Sequence, residues 1–228
     1  YLDGETRTNM KIVDSSAHEE TEINEPGAKV SVKQLKELKR KVLATATTRD
    51  SVVLTGSLPP GVPEKIYADL TNELQKKNVK VFLDASDNAL EKGITANPYL
   101  VKPNINELET LVGGKLPTIE EMISAAEKIQ KQGIEIVVVS RGGEGSLVVS
   151  KEGKFKVSPP DVEPNSTIGA GDTLVGALAL KLEAGVSLQD ALQYATAASA
   201  NSVTQAGTQL CNPDEVEQLL EKVEITEL

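Results

Sequence analysis

The segment 165–178 holds the residues whose types and spacing best suit a chemical reaction. Gly169 and Gly171 flank Ala170, Asp172 follows directly, and an apolar run with helical spacing begins there. The pattern predicts a tight loop that enters a helix. Glycines let backbone N–H groups approach an anion, and the first turn of a helix favours negative charge. A carboxylate in such a place suits phosphoryl transfer, in which Asp172 would take a proton from the acceptor hydroxyl.

The alternative for this loop is a glycine turn in which Asp172 merely favours the helix dipole. Neither the P-loop pattern GxxxxGK[ST] nor the dinucleotide pattern GxGxxG occurs anywhere in the sequence. The loop therefore has to be interpreted together with the other polar segments that the fold would bring to it.

Asn104 and Glu107 directly follow a predicted strand and lie three positions apart. An early helical turn would place them on one face, where an amide oxygen and a carboxylate suit a hydrated Mg²⁺. The alternative is a helix start in which Asn104 is the N-cap and Glu107 closes a capping box. Taken alone, the pair favours this second interpretation.

Two further loops follow predicted strands and are rich in small residues. The loop from Ser140 to Gly145 contains three glycines after the most apolar strand, and its backbone could pack against a nucleotide. A tight connection between that strand and a hairpin is the alternative. Gly56 and Ser57 precede a double proline, and their hydroxyl and N–H groups could hold a sugar or phosphate oxygen.

Arg7, Asn9 and Lys11 alternate along the first predicted strand and would therefore share one face. Two cations and an amide on one face suit a phosphate monoester. The commoner alternative is a polar strand face that contacts only solvent.

The elements that must position these residues alternate between strand and helix. Strands are predicted at 6–13, 20–23, 51–55, 79–83, 99–101, 135–139, 146–150 and 154–157. Helices are predicted after a capping box at Ser31, from Pro63, at 105–112, after a cap at Thr118, and at 172–184, 188–203 and 213–223. Short apolar strands between helices indicate an α/β layered fold with a mostly parallel sheet. Because ligands bind beyond the carboxyl ends of such strands, the loops after 51–55, 99–101 and 135–139 should converge with 165–172.

Composition narrows the class of protein. A net charge of −10 over 228 residues argues against nucleic-acid binding, and no apolar run reaches the roughly 20 residues of a membrane span. The single cysteine, Cys211, excludes an internal disulfide and fits a reducing compartment. The single histidine, His18, lies in a polar run and is expected to be exposed, which argues against zinc and Ser-His-Asp chemistry. Because the chain begins at Tyr1 in strand-like sequence, we expect the later part of a longer protein.

Together these residues resemble the ribokinase-like carbohydrate kinases of the phosphofructokinase B type, over nearly the whole chain. The most specific part is 166–173, which is similar to the C-terminal signature of that family, and 56–62, 101–107 and 139–145 match in the same order. Segments 6–9 and 21–24 resemble the lid strands of its hexose-phosphate branch, especially the 1-phosphofructokinases. Segment 207–211 is similar to the minor 6-phosphofructokinase type, and tagatose-6-phosphate kinases belong to the same neighbourhood.

The resemblance implies a three-layer, Rossmann-like fold with a mostly parallel sheet, helices on both faces and the remnant of a small β lid. Residues 1–27 would form part of the lid, and residues 28–228 the nucleotide-binding and catalytic domain. It also implies a cytoplasmic enzyme that dimerises through its lid strands, while the composition argues against a nucleic-acid or membrane partner.

The resemblance also implies a role for each matched residue in phosphoryl transfer. Asp172 would be the general base on the sugar hydroxyl. The N–H groups of Gly169, Ala170 and Gly171 would hold the charge of the transferring phosphoryl group. The residues that would organise Mg²⁺, through water, are Asn104 and Glu107.

Ligand contacts are implied in the same way. Arg7 and Ser57 would hold the sugar phosphate. The residues that would contact ATP are Lys102, Ser140, Arg141, Gly142, Gly143, Glu144, Gly145 and Gly171. A monovalent cation would lie near the carbonyls of Ser166, Ile168, Ser202, Gln205 and Gly207.

Three departures from the family pattern accompany the match. Gln209 stands where the minor 6-phosphofructokinase type has an arginine, and Arg141 stands where many relatives have an apolar residue. The N-terminal segment of the family, with its first strand and sugar-binding aspartate, has no counterpart in this sequence. We therefore expect a phosphoryl-transfer half of the site with only part of the substrate half.

The expected activity is ATP-dependent phosphorylation of a hexose phosphate, with fructose 1-phosphate to fructose 1,6-bisphosphate favoured. Tagatose 6-phosphate and fructose 6-phosphate are the alternative substrates. A nucleotide- or sugar-phosphate-binding sensor without turnover is the alternative of another class, and the retained Asp172 favours the enzyme because a sensor needs no base.

Overall fold

The computed structural model describes residues 4–14 and 19–228. The expectations for the chain start at Tyr1 and for the exposure of His18 lie outside the described residues. None of the helices in the described part of the chain is both long and apolar enough to span a membrane.

A two-stranded antiparallel hairpin precedes the main body of the protein. It consists of β1 (Asn9–Asp14) and β2 (Glu19–Asn24), with Met10 opposite Ile23. The strand predicted from residue 6 begins later, because the backbone N–H of Thr8 donates to the side chain of Glu25 at 2.8 Å instead of joining the ladder. The division of the chain into a lid at 1–27 and a second domain stays a prediction.

The main sheet has seven strands in the order of the chain. They are β3 (Ser51–Thr55), β4 (Lys80–Asp84), β5 (Leu100–Val101), β6 (Ile136–Ser140), β7 (Ser146–Ser150), β8 (Lys154–Ser158) and β9 (Glu224–Glu227). Neighbours from β3 to β6 pair in parallel, and neighbours from β6 to β9 pair antiparallel. Because β8 again runs in the direction of β3–β6, most strands point one way, and the predicted α/β fold is confirmed.

Eight helices occur in the described part of the chain. They are α1 (Val32–Thr45), α2 (Ile66–Gln75), α3 (Asp87–Ile94), α4 (Ile105–Val112), α5 (Ile119–Gln130), α6 (Ala170–Glu183), α7 (Leu188–Thr204) and α8 (Pro213–Leu219). The predicted capping boxes at Ser31 and Thr118 are both present. The helix predicted from Pro63 begins at Ile66, because Pro63 forms a tight turn in which its carbonyl accepts from Ile66 N at 2.9 Å.

Successive side chains of the strands point to opposite faces of the sheet, where they pack into two apolar clusters. In β4, Val81 and Leu83 join the cluster formed with α2–α5, whereas Phe82 joins the cluster formed with α6–α8. All three side chains are almost fully buried. The result is a three-layer arrangement with helices on both faces of the sheet, as the sequence predicts.

The carboxyl ends of the parallel strands lie together at one edge, where backbone bonds fix their loops. Gly56 N donates to Asp84 O at 3.0 Å, Lys102 N donates to Leu83 O at 3.1 Å, and Ser140 N donates to a carbonyl in the loop after β5. The loops after β3, β4, β5 and β6 are therefore held side by side, as predicted for a ligand site at this edge.

Candidate active site

Asp172 lies in the first turn of α6, where its carboxylate faces the end of β3. Thr55 is the last residue of β3, and its Oγ1 donates to Asp172 Oδ1 at 3.0 Å. Gly169 precedes the helix at φ +79, a left-handed conformation that glycine adopts without strain. Among the described residues no side chain caps α6, so the positive end of its dipole is available to an anion beside an exposed carboxylate.

An ion pair lies next to this helix start. Lys102 Nζ is 3.0 Å from Asp84 Oδ1, and the two side chains are only 8% and 15% exposed. A Cβ placed on Gly171 would be 3.3 Å from Lys102 Nζ, so this glycine lets the ammonium approach the helix N-terminus. The Lys102 cation, the Asp172 anion and the first turn of α6 thus share one small region.

The pKa of the Asp84 carboxyl is raised, chiefly because burial disfavours its charged form. The attraction of Lys102 opposes that rise, and the negative charge of Asp172 adds to it. Neither Asp84 nor Thr55 was singled out from the sequence. The available signal was their position, since each is the last residue of a parallel strand.

Asn104 and Glu107 form the capping box of α4. Asn104 Oδ1 accepts from Glu107 N at 2.9 Å, and Glu107 Oε2 accepts from Asn104 N at 2.8 Å. The pKa of Glu107 is raised, chiefly because burial disfavours its charged form. The negative charges of Asp84 and Asp87 raise it further, whereas the hydrogen bond from the Asn104 backbone and the charge of Lys102 lower it. A cation nearby would relieve that repulsion, so the donor set fits a hydrated Mg²⁺, although the described residues contain no cluster of three or more acidic, histidine or cysteine ligands.

A cavity of about 570 Å³ lies between the loop after β6, the loop after β8 and helices α6 and α7. Its size suits a nucleotide. Its lining includes five of the residues predicted to contact ATP, namely Ser140, Gly142, Gly143, Gly145 and Gly171, together with Ala170 at the start of α6. Gly145 has φ +82, and a Cβ there would collide with the carbonyl of Val157, so only glycine fits at this point of the wall.

The side chains of Arg141 and Glu144, in the same loop, pair with each other. The Arg141 side chain is 10% exposed, and its Nε and Nη1 have no hydrogen-bond partner among the described residues. Their predicted contact with ATP therefore stays a prediction, and the geometry supports the glycines of the loop more directly.

The two residues predicted to hold the sugar phosphate are brought together. Arg7 Nη1, just before β1, donates to Ser57 Oγ at 2.9 Å. Ser57 lies two residues beyond Thr55, so the hairpin is tied through the end of β3 to Asp172. Asn9 is the first residue of β1 and pairs with Asn24 of β2.

The segments predicted to hold a monovalent cation are also adjacent. Asn165 N and Ser166 N both donate to Val203 O, at 2.7 and 3.0 Å. The loop before α6 is thereby joined to the end of α7, where Ser202 O accepts from Gln205 N at 3.2 Å. Whether their carbonyls bind a cation stays a prediction.

Comparison with known proteins places this arrangement in a family. A family model described as "pfkB family carbohydrate kinase" matches residues 1–215, so the chain belongs to the pfkB family. It is similar to a 1-phosphofructokinase of Haemophilus influenzae, with 41% identity over 99% of this chain and 72% of the relative. It is 34% identical to the ATP-dependent 6-phosphofructokinase isozyme 2 of Escherichia coli K12, over 94% of this chain and 70% of that protein. A crystal structure of Escherichia coli phosphofructokinase-2 in complex with potassium superimposes with a TM-score of 0.87 at 34% identity, over 95% of this chain and 70% of that one.

Proposed function

We propose that the protein is an ATP-dependent phosphotransferase that phosphorylates an alcohol group of a hexose phosphate. The observation that carries this function is the Asp172 carboxylate, held by Thr55 at the N-terminus of α6 beside a nucleotide-sized cavity. Family membership and the kinases at 34–41% identity support the same class of enzyme. The favoured reaction converts fructose 1-phosphate and ATP to fructose 1,6-bisphosphate and ADP, in line with the 1-phosphofructokinase at 41% identity.

In the proposed reaction the free hydroxyl of the sugar attacks the γ-phosphorus of ATP in line with the leaving oxygen of ADP. A new P–O bond forms as the bond to ADP breaks, and the hydroxyl proton passes to Asp172. The hydrogen bond from Thr55 leaves one carboxylate oxygen of Asp172 oriented for that proton. Thr55 would act as a positioning residue, since it works through the carboxylate.

Positive charge and N–H groups would stabilise the transferring phosphoryl group. The first turn of α6 at Gly169–Gly171 supplies oriented N–H groups and the helix dipole. Lys102 supplies a cation close to Gly171. Arg7 and Ser57 would bind the phosphate already present on the sugar, because a guanidinium and a hydroxyl lie within 2.9 Å of each other there.

Asn104 and Glu107 would hold Mg²⁺ through water molecules, and the ion would neutralise charge on the phosphates of ATP. The carbonyls of Ser166, Ile168, Ser202, Gln205 and Gly207 would bind a monovalent cation. The adjacency of the two segments at Val203 supports that second site, as does the potassium complex of the Escherichia coli phosphofructokinase-2.

The hairpin strands would form a homodimer contact. Met10, Ile12 and Ile23 share one face of the hairpin by register, and they are 55%, 50% and 53% exposed. Arg7 contacts Ser57, so the polar side of the lid serves the site while the apolar side is available to a second copy. Burying these side chains would remove an exposed apolar patch from water.

A coupled assay of ADP release tests the activity and the substrate together. Fructose 1-phosphate, fructose 6-phosphate and tagatose 6-phosphate are compared at matched concentrations, and the highest kcat/KM is expected for fructose 1-phosphate. A higher value for fructose 6-phosphate would favour the activity named for the isozyme 2 relative.

The variant Asp172→Asn tests the role of the base. It should lower kcat by about 100- to 10,000-fold with little change in KM for ATP, because general base catalysis is lost while the nucleotide cavity is kept. The matched control is Glu183→Gln, which removes a carboxylate from the exposed last turn of the same helix and should retain wild-type kcat. A wild-type kcat for Asp172→Asn would show that another group accepts the proton.

The non-catalytic sensor is tested by the same measurements. If the wild-type protein binds ADP but turns over none of the three hexose phosphates, the kinase function is wrong and the sensor is favoured.

A further inference from the structure

Tyr67 of α2 has its hydroxyl at the carboxyl end of β3, next to the proposed active site. The hydroxyl donates to Thr55 O at 2.9 Å and to Gly56 O at 2.8 Å, so its proton is shared between two carbonyls. The residue is only 8% exposed, and its ring belongs to the apolar cluster formed with α2–α5. The packed ring therefore holds the hydroxyl in a fixed place, although the proposed mechanism gives Tyr67 no role.

The backbone turn at Gly56 allows both carbonyls to reach one hydroxyl. Consecutive carbonyls of an extended strand point in opposite directions, but Gly56 turns the chain with φ +97, which glycine adopts without strain. The peptide group before Gly56 is held at both ends, because its N–H donates to Asp84 O at 3.0 Å and its carbonyl accepts from Tyr67. The peptide group after Gly56 is held by Tyr67 through Gly56 O.

These two peptide groups adjoin the residues that join β3 to the substrate side of the site. Thr55 Oγ1 donates to Asp172 Oδ1 at 3.0 Å, and Ser57 Oγ accepts from Arg7 Nη1 at 2.9 Å. The first contact orients the proposed base, and the second joins the groups proposed to bind the phosphate of the sugar. Because one sugar phosphate must reach both, the turn at Gly56 sets the distance between its two binding points.

The Tyr67 hydroxyl stays in the form that donates a proton to these carbonyls. Its pKa is raised, chiefly because burial disfavours the phenolate, and the negative charge of Asp84 adds to the rise. The group is therefore protonated at neutral pH, as it must be, because carbonyl oxygens can only accept. Removing the hydroxyl would free both peptide groups from α2.

We propose that Tyr67 is a positioning residue that fixes the turn at Gly56, and through it Thr55 beside the base and Ser57 beside the sugar phosphate. The inference rests on the proposed function, since it takes Asp172 as the base and places the sugar phosphate at Ser57. It goes further by giving a residue of α2 that contacts no reactant control over the substrate side alone. Tyr67 is not part of the wall of the nucleotide-sized cavity.

The variant Tyr67→Phe removes the hydroxyl and keeps the ring. It should raise KM for fructose 1-phosphate and lower kcat, so that kcat/KM falls by about 3- to 30-fold, as expected when a lost hydrogen bond leaves a buried partner unpaired. KM for ATP should keep its wild-type value, because the nucleotide cavity is unchanged. A general loss of structure would raise both KM values, so an equal rise in KM for ATP would overturn the proposal.

Tyr99→Phe is the matched control for the loss of a tyrosine hydroxyl. Tyr99 is half-buried and lies directly before β5, at the amino end of the parallel strands and thus at the opposite edge of the sheet from Thr55. Its ring packs against Phe82, with 5.5 Å between the ring centroids, and phenylalanine preserves that contact. This variant should keep the wild-type kcat and both wild-type KM values.

A double-mutant cycle tests whether Tyr67 acts through Thr55. Thr55→Val removes the hydrogen bond to Asp172 and keeps the carbonyl that Tyr67 binds. In this background Tyr67→Phe should lower kcat by less than about twofold, because the orientation that it controls has already been lost. A further loss of kcat as large as in the wild-type background would show that Tyr67 acts by another route and would overturn the proposal.

Thermal denaturation followed by circular dichroism accompanies the kinetics. Tyr67→Phe should lower the melting temperature, because it leaves buried carbonyls without their donor. If it does not fold, the comparison is made in the background of Thr71→Val. That change removes a fully buried hydroxyl of α2 that has no partner among the described residues, and it should raise the melting temperature. A lower melting temperature with wild-type kcat and KM would reduce Tyr67 to a structural residue and overturn the proposal.

Isothermal titration with fructose 1-phosphate separates this proposal from the kinase function. If the wild type binds the sugar phosphate without turnover, the kinase function fails, yet weaker binding by Tyr67→Phe with unchanged ATP affinity still supports the positioning role. Equal affinities and kinetic constants for wild type and Tyr67→Phe would overturn the positioning role and leave the kinase function intact. A wild type that binds none of the hexose phosphates would overturn both.

Discussion

Two neighbouring charges shift the pKa of the Asp84 carboxyl in opposite directions. Its carboxylate pairs with Lys102 at 3.0 Å, while Asp172 lies close enough to raise its pKa. A buried ion pair gains little net stability, because removing both charges from water costs about as much as their attraction returns. We therefore infer that the pair serves the site, where it fixes the Lys102 ammonium beside the start of α6, more than it serves the fold.

Glu107 allows a prediction about the pH dependence of stability. A carboxyl whose pKa is higher in the folded protein than in the unfolded chain stabilises the fold when protonated, and this contribution is lost as the pH rises through the folded pKa. The variant Glu107→Gln lacks this titration, and glutamine can still close the capping box with Asn104. In metal-free buffer, the free energy of unfolding of Glu107→Gln relative to wild type should therefore increase as the pH rises above 4.5, the ordinary value for this carboxyl.

Urea denaturation at pH values below and above 4.5 measures this difference. Glu121→Gln, at the same position of the capping box of α5, is the matched control and lacks the neighbouring Asp84 and Asp87. A stability difference for Glu107→Gln that does not change with pH would contradict the prediction. In the activity assay the same variant should need more Mg²⁺, since it loses the proposed anionic ligand.

At the scale of single residues, the sequence predicts those parts of the site that are local. The Gly169–Asp172 loop and the Asn104/Glu107 pair are each visible within a few positions, because turns and caps are encoded by neighbouring residues. Thr55 is 117 positions away from the carboxylate that it contacts. No local sequence pattern predicts that hydrogen bond, because only the sheet topology brings the end of β3 to the start of α6.

Among the secondary-structure elements, those with strong periodicity or caps were predicted nearly to the residue. The helix 105–112 and the strand 146–150 have the predicted bounds. Helix α3 and strand β9 were missed. Helix α3 contains Gly93 and begins at Asp87 with φ +52, both of which weaken a helical pattern. The strand β9 is short and mainly polar, and it owes its conformation to pairing with β8 at the sheet edge.

The hairpin β1–β2 allows a prediction about assembly. If its apolar face binds a second copy, Ile23→Lys should convert the dimer to a monomer, because it would bury an unpaired charge in the contact. The control Asn9→Lys adds the same charge on the opposite face of the hairpin and should leave the dimer intact. Light scattering coupled to size-exclusion chromatography measures both. A monomeric wild type, or a dimeric Ile23→Lys variant, would exclude this contact.

For the molecule as a whole, the two apolar clusters cannot separate without breaking the sheet between them. Val81 and Phe82 are neighbours in β4, yet they belong to clusters on opposite faces. The same alternation occurs in β6, where Val137 and Val138 divide in this way. Unfolding of one cluster would expose strands whose other face packs in the second cluster. The main sheet and its helices should therefore unfold as one cooperative unit.

Nucleotide binding should therefore stabilise the entire α/β body, because the cavity joins the loops after β6 and β8 to helices α6 and α7. A ligand at about 100 times its Kd adds about 2.7 kcal/mol to the free energy of unfolding. For a domain of this size that corresponds to a rise of roughly 5 to 11 °C in melting temperature. Calorimetry with ADP should show a single transition shifted by that amount. A transition that splits on adding ADP, with only one part shifted, would show that the two faces of the sheet fold independently.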